Sequence, residues 1–372
     1  HLCRAVEEPA VSASEQPGTE VSDLLAQLTA AITDPDTSAR EAALSRWDGL
    51  AKPPGALGRL EEIGAWVCAV QGRCPPQPIE DVRMIVMAGD HGIAASGVSA
   101  YPSTVTASMV RTMVAGGAAV TVLARQVGAA VSVLDLSVDD DLDDLGVAIT
   151  RHKVRRGTDP IDVTDAMSPE QSLQAFEAGQ VVADEAVDSG AQLLVLGDMG
   201  IANTTPASAL VALLTRSEVI DVVGRGSGID DEAWMRKAAA IRDAVFRAKP
   251  RLADPIDLLA ATTGPDIAAM AGCITQAAVR RTPVVLDGLV SSSAALVAQR
   301  ISFRAPRRFV AGHRSSEPAH ALALDRLGLT PLLDVSVRLG EGVGALLAVP
   351  LVQAAAALLV DMSALDDVLP PA

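Results

Sequence analysis

Aromatic side chains are nearly missing from this chain. Four Phe, three Trp and one Tyr make up 2% of its 372 residues. A core short of rings must be filled by aliphatic groups, and 49% of the residues are hydrophobic. Ala, Val, Leu and Ile therefore build the interior, through tight helix packing rather than ring stacking. Positive charge is also short. Lys and Arg number 30 against 46 Asp and Glu, which gives a net charge of −16 and a pI of about 4.7. This argues against nucleic acid as a partner, because phosphate-backbone binding needs clustered Lys and Arg. A small anion is a different matter, since it needs only local backbone donors and one or two cations.

Cysteine is scarce too. Cys68 and Cys74 have neither redox-pair nor zinc-knuckle spacing, and Cys3 and Cys273 stand apart. Reduced structural thiols in a cytoplasmic protein are the expectation. The five histidines show no ligand spacing such as His-Glu-x-x-His. No metal and no cofactor are expected. Residues 1–20 lack the apolar core of a secretory signal and read as a mobile tail of Glu, Pro, Ser and Gly. Val343 to Val360 is almost wholly apolar, yet it is rich in Ala and carries Pro350 and Gln353. Its length is at the lower edge for a membrane span, so a buried helix and no membrane partner are expected.

What is present is a rhythm. Residues 21–50 place apolar groups at helical spacing (Leu24, Leu25, Leu28, Ala31, Ile32) and read as one or two amphipathic helices. A Pro/Gly loop from Lys52 leads into a helix through Trp66 and Val67, which Pro75 to Pro78 break. From Val82 onward, short aliphatic runs each end in a polar or glycine turn and lead into a helical stretch. These runs are Met84 to Ala88, Ala129 to Leu136, Leu193 to Leu196, Val284 to Leu286 and Phe309 to Ala311. The pattern predicts an α/β fold, a mostly parallel sheet with helices on both faces. Ligands of such sheets bind at the carboxyl ends of the strands, so the loops there should converge on one site. The acidic stretch Asp139 to Asp144 reads as a solvated loop.

Several of those loops carry chemistry. Gly197-Asp198-Met199-Gly200-Ile201-Ala202-Asn203-Thr204-Thr205 follows a strand and opens a helix, a seat for phosphate or a simple cap. It is neither a P-loop nor a dinucleotide fingerprint. Gly224-Arg225-Gly226-Ser227-Gly228, with Arg236 and Lys237 on the following helix, suits phosphate about as well as it suits a surface turn. Asp90, in Gly89-Asp90-His91-Gly92, fits a ribose hydroxyl or a turn-fixing role. Tyr101, Met109 and Met113 could line a pocket for a flat ring, although the two methionines also read as core. In Arg338-Leu339-Gly340-Glu341-Gly342-Val343-Gly344, Glu341 either caps the following helix or stands in an apolar cleft as a proton acceptor.

Nine ordered blocks together resemble one family, the nicotinate-nucleotide–dimethylbenzimidazole phosphoribosyltransferases of cobalamin lower-ligand synthesis. The blocks are Lys52 to Leu60, Ala88 to Pro102, Gly116 to Arg125, Gly197 to Thr205, Gly224 to Asp231, Gly264 to Gly272, Val285 to Gly288, His313 to His320 and Arg338 to Gly344. The resemblance implies transfer of phosphoribose from nicotinate mononucleotide to 5,6-dimethylbenzimidazole, with Glu341 as general base. It implies a homodimer, each chain having a large Rossmann-like domain (81–344) and a small helical domain from both ends (21–80 and 345–372) beside the tail (1–20). It places the phosphate among Gly200, Asn203, Thr204, Thr205, Gly226 and Gly264. Lys237 would balance the phosphate or the nicotinate carboxylate. Asp90, Tyr101, Ser108, Asp198, Asp287, Leu339 and Gly340 complete the implied substrate-binding set. The chain departs from the family at Asp198, commonly Glu, at Ala202, commonly Gly, and at Ser108, often Gln. A shorter side chain at Ser108 would widen the choice of base.

Overall fold

The computed structural model describes residues 17–369. The tail expected at residues 1–20 falls mostly outside that range, and a helix, Pro17–Ala31, already begins within it. Five strands form one sheet: β1 (Val82–Gly89), β2 (Ala129–Ser137), β3 (Leu193–Met199), β4 (Val284–Leu286) and β5 (Phe309–Ala311). They match the five aliphatic runs. Every pairing is parallel, and the order is β2-β1-β3-β4-β5. The register starts Val82 level with both Ala129 and Leu193, so the carboxyl ends of the three longest strands share one edge. The chain leaves β1 toward β2 on one side and returns as β3 on the other. The crevice between β1 and β3 is therefore the topological switch point, where open parallel sheets bind ligands.

Both faces of the sheet are covered, which is why β3 is buried along its whole length. Period-two alternation sends successive side chains to opposite faces. Met84 and the Gly197 position face the loop at Glu341 and Gly342. Gly89 faces Asp266 on the helix Pro265–Val279. That helix crosses the helix Pro169–Asp188 at backbone contact. A Cβ at Gly179 would lie 1.8 Å from the Ala269 carbonyl oxygen, and one at Gly272 would lie 1.9 Å from that of Phe176. This close crossing is the ring-poor packing that the composition requires.

The stretch expected to be one or two helices near the N-terminus holds two, Pro17–Ala31 and Thr37–Asp48, followed by Arg59–Gln71. Asp36 caps the second by accepting from Ala39 N at 2.8 Å. Trp47, Ala65, Cys68 and Leu359 share a satellite core, and Arg46 donates to the Leu359 carbonyl, which ties both ends of the chain together. The helix Val343–Asp361 is long and apolar enough to cross a membrane, but it packs against β3, β4 and the Arg59–Gln71 helix. Burial pushes the Cys68 and Cys273 thiols up to about 12, consistent with inert structural thiols. The acidic stretch is exposed as expected but not merely solvated. Arg111 pairs with Asp140 and Asp144, and Arg156 pairs with Asp139 and Asp141.

Candidate active site

A cavity of about 750 Å³ opens at the carboxyl edge of the sheet, next to the switch point. Six segments meet there: the β3 turn at Asp198 to Thr204, the glycine turn at Gly226, the stretch around Tyr101, Gly288 to Val290 after β4, the β5 end from His313 to Glu317, and Val337 to Glu341. The loops after β3, β4 and β5 converge as expected, whereas Gly89 to Gly92 at the end of β1 and the acidic stretch after β2 do not line the cavity.

Glu341 is the central group. Gly340, Glu341 and Gly342 all have positive φ, 81°, 60° and 92°. For a residue with a Cβ this conformation costs about 1–3 kcal/mol, and it persists only where surrounding contacts enforce it. The side chain does not cap the helix Val343–Asp361. Asp287 takes that role from the end of β4, accepting from Gly342 N at 3.2 Å and Ala345 N at 2.9 Å. Glu341 is thus free to face the cavity. It is 4% exposed, and its Oε2 has no hydrogen-bond partner. Burial raises its carboxyl above the ordinary range, the Val120 backbone opposes, and Asp287 adds to the rise.

Asp198 lies across from it, lining the cavity and accepting from Asn203 Nδ2 at 2.7 Å. Burial pushes its carboxyl up to about 8. Nearby Asp287, Asp266 and Glu341 add to that rise, and the Asn203 hydrogen bond opposes it. Asp198 is therefore largely protonated at neutral pH and can donate as well as accept. Because Asn203 turns toward Asp198, no side chain caps the helix Thr204–Thr215, and its first turn is open toward the cavity. Ala202, with φ 70°, occupies a left-handed position that a glycine takes without strain.

Of the expected set, Tyr101, Asp198, Gly200, Asn203, Thr204, Gly226, Leu339, Gly340 and Glu341 line the cavity. The others stand behind or away from it. Asp90 accepts from Asp139 N at 2.9 Å and so ties the ends of β1 and β2. Lys237 is 1% exposed and donates to Thr204 Oγ1 at 2.8 Å, one layer back. Burial holds its ammonium below the usual range, with Glu317 opposing. Thr205 is buried, and Gly264 precedes the Pro265–Val279 helix beside Asp266. Asp287 is the helix cap described above. Ser108 is exposed and donates to Thr104 O at 3.3 Å within its own helix. Met109 lines the cavity, whereas Met113 is core.

Three ionisable side chains on the wall are absent from the set expected from sequence: His313, Glu317 and Arg338. Glu317 precedes Pro318 at a helix start and so reads as an N-cap. Its carboxylate instead reaches across to accept from Gly226 N at 2.8 Å, and its Oε2 is buried without a partner. His313 sits 3.4 Å from Asp287 Oδ1. No sequence spacing signals that pairing, because it is made by two neighbouring strand ends.

Residues 32–368 match a protein family described as phosphoribosyltransferase. Over 334 residues the chain is 54% identical to the nicotinate-nucleotide–dimethylbenzimidazole phosphoribosyltransferase of Mycobacterium tuberculosis (strain ATCC 25618 / H37Rv), which spans 90% of this chain and 92% of that one. The chain belongs to this phosphoribosyltransferase family. The protein of the same name from Mycobacterium marinum is 53% identical over 334 residues, covering 90% of this chain and 93% of its relative. The fold agrees as well. A crystal structure of the enzyme of that name from Thermus thermophilus superposes with a TM-score of 0.84 at 40% identity, covering 89% of this chain and 98% of the other. The family read from nine sequence blocks is thus the family to which the chain belongs, and its parallel α/β architecture is the family's.

Proposed function

We propose that this enzyme moves the 5-phosphoribosyl group of nicotinate mononucleotide to 5,6-dimethylbenzimidazole, giving α-ribazole 5′-phosphate and nicotinate, within cobalamin lower-ligand synthesis. The observation that carries the reading is the Glu341 carboxylate, held in a strained turn, buried, unpartnered at Oε2 and facing the cavity. One ring nitrogen of the benzimidazole attacks C1′ of the ribose. The bond from C1′ to the pyridine nitrogen breaks, and its electron pair leaves with nicotinate, which becomes neutral at nitrogen. The proton on the second benzimidazole nitrogen passes to Glu341, so no full positive charge develops on the new base. Attack from the face opposite the leaving group turns a β linkage into an α linkage. A base of raised pKa is better matched to this proton transfer, and a positioned general base contributes about 10²–10⁴-fold. The leaving group needs no acid.

The same reading takes the chain as a cytoplasmic homodimer with the domain division given above. The satellite core joining both chain ends supports the small helical domain. A nucleotide hydrolase built on Asp90 and His91 finds no support in the geometry. Asp90 bonds to the β2 end, His91 Nε2 lies 3.0 Å from Asp266 Oδ2, and neither lines the cavity.

Incubation of the pure protein with both substrates, followed by chromatography, tests the reaction. Product from the parent and at least a hundredfold less from Glu341→Gln, with its melting curve retained, is the expected result. Equal rates would remove Glu341 from its role. Nicotinate release without the base acceptor would favour hydrolysis.

A further inference from the structure

The cavity wall is short of positive charge. It carries three carboxyl groups, Asp198, Glu317 and Glu341, and among the described residues one Lys or Arg, which is Arg338. A nucleotide bearing a phosphate and a ring carboxylate brings more negative charge into that wall. Lys237, the cation that the sequence offers for the purpose, is buried behind Thr204 and faces Glu317, so it does not reach the cavity.

Arg338 is placed differently. It is exposed at the mouth, three residues before Glu341. Its Nη1 donates to the Gly226 carbonyl at 3.0 Å, and among the described residues it has no carboxylate partner. Gly226 is a firm anchor, because its own N–H is held by Glu317 Oε1 at 2.8 Å. One end of the guanidinium is thereby tethered, and its Nε–Nη2 edge keeps two parallel donors without a partner among the described residues. Ser227, the next residue of the same turn, also lines the cavity. Its oxygen accepts from Ala100 N at 3.0 Å and lies 3.4 Å from Ser99 Oγ, so a pair of hydroxyls stands beside the guanidinium turn.

We propose that Arg338 is the substrate-binding cation of this site. An oxyanion of the ribonucleotide, either its phosphate or its ring carboxylate, docks in bidentate fashion on the free edge of the guanidinium. A planar fork matches either group, whereas an ammonium does not. The identity of the nucleotide rests on the reaction proposed above. The role of Arg338 rests on the charge and geometry of the wall.

Calorimetric titration with nicotinate mononucleotide, without any base acceptor, separates the two. Relative to the parent, Arg338→Met should raise Kd at least tenfold, the loss expected for charge-assisted hydrogen bonds. Arg338→Lys should recover only part of it. Nicotinate riboside lacks the phosphate and nicotinamide mononucleotide lacks the carboxylate. The ligand whose affinity Arg338→Met leaves unchanged identifies the group contacted. Because the side chain is exposed, all variants should melt with the parent. An unchanged Kd for nicotinate mononucleotide in Arg338→Met overturns the assignment. So does a fall in kcat at constant Kd, which would mean that Arg338 acts only through the Glu341 turn. If the parent binds the nucleotide but makes no product, the reaction fails and the assignment of Arg338 stands.

Discussion

Two residues in this site sit in a backbone conformation that their side chains disfavour, and they do so for different reasons. Glu341 has φ 60° and a buried carboxylate, and it offers the site a base. Replacing it with glycine relieves both the strain and the desolvation. Glu341→Gly should therefore be about 1 kcal/mol more stable than the parent while losing transferase activity. Paired denaturant melts and product assays check this, and a destabilised variant would mean that the carboxylate makes net favourable contacts. Ala202 has φ 70° but carries no chemistry. A left-handed alanine costs about 1–2 kcal/mol, and glycine returns up to about 1 kcal/mol of that through unfolded-state entropy. Ala202→Gly should raise stability by about 0.5 kcal/mol with kcat and KM unchanged. The departure from the family's glycine was visible in the sequence. Its strain was not, because φ at that position is set by the turn between β3 and its helix.

The elements were legible where their pattern was local. Five aliphatic runs became five strands, and an apolar stretch after Gly342 became the helix Val343–Asp361. What the chain order hid is which acid caps that helix. Glu341 is adjacent in sequence, yet Asp287 arrives from β4 and takes both N–H groups. Only the register of β4 beside β3 puts it there. Likewise Glu317 looks like a cap and in fact ties the Gly226 turn. Asp287 thus sets the position of Glu341 through the helix that follows it. Asp287→Ala strips a cap and leaves buried N–H groups unpaired, which should cost about 1–3 kcal/mol. Activity should fall with it, since the Gly340 to Gly342 turn loses its anchor. Asp287→Asn, which keeps one acceptor oxygen, should recover part of both. Loss of activity with no loss of stability would point to direct contact with substrate instead.

At the scale of the whole molecule, buried titratable groups set how stability follows pH. Asp198 is pushed up to about 8, with Asp287, Asp266 and Glu341 packed near it. The native state holds its proton where the unfolded chain, titrating near 4, has lost it. That contribution is full below about pH 4 and disappears as pH rises through 8. His320 works in the opposite sense. Burial pushes it down to about 4, so its contribution is present above about 6.5 and is lost as pH falls through 4. Between pH 4 and 6.5 the two slopes oppose each other. Above 6.5 only the Asp198 slope of this pair remains, and its contribution falls up to pH 8. Asp198→Asn keeps the shape and the Asn203 contact but cannot titrate. The difference in Tm between parent and variant cancels the groups that do not interact with Asp198, Lys237 among them. That difference should therefore move steadily in favour of the variant from pH 6.5 to 8. A constant difference across this range would mean that Asp198 is already ionised in the folded cavity, and that the carboxylates share their proton elsewhere.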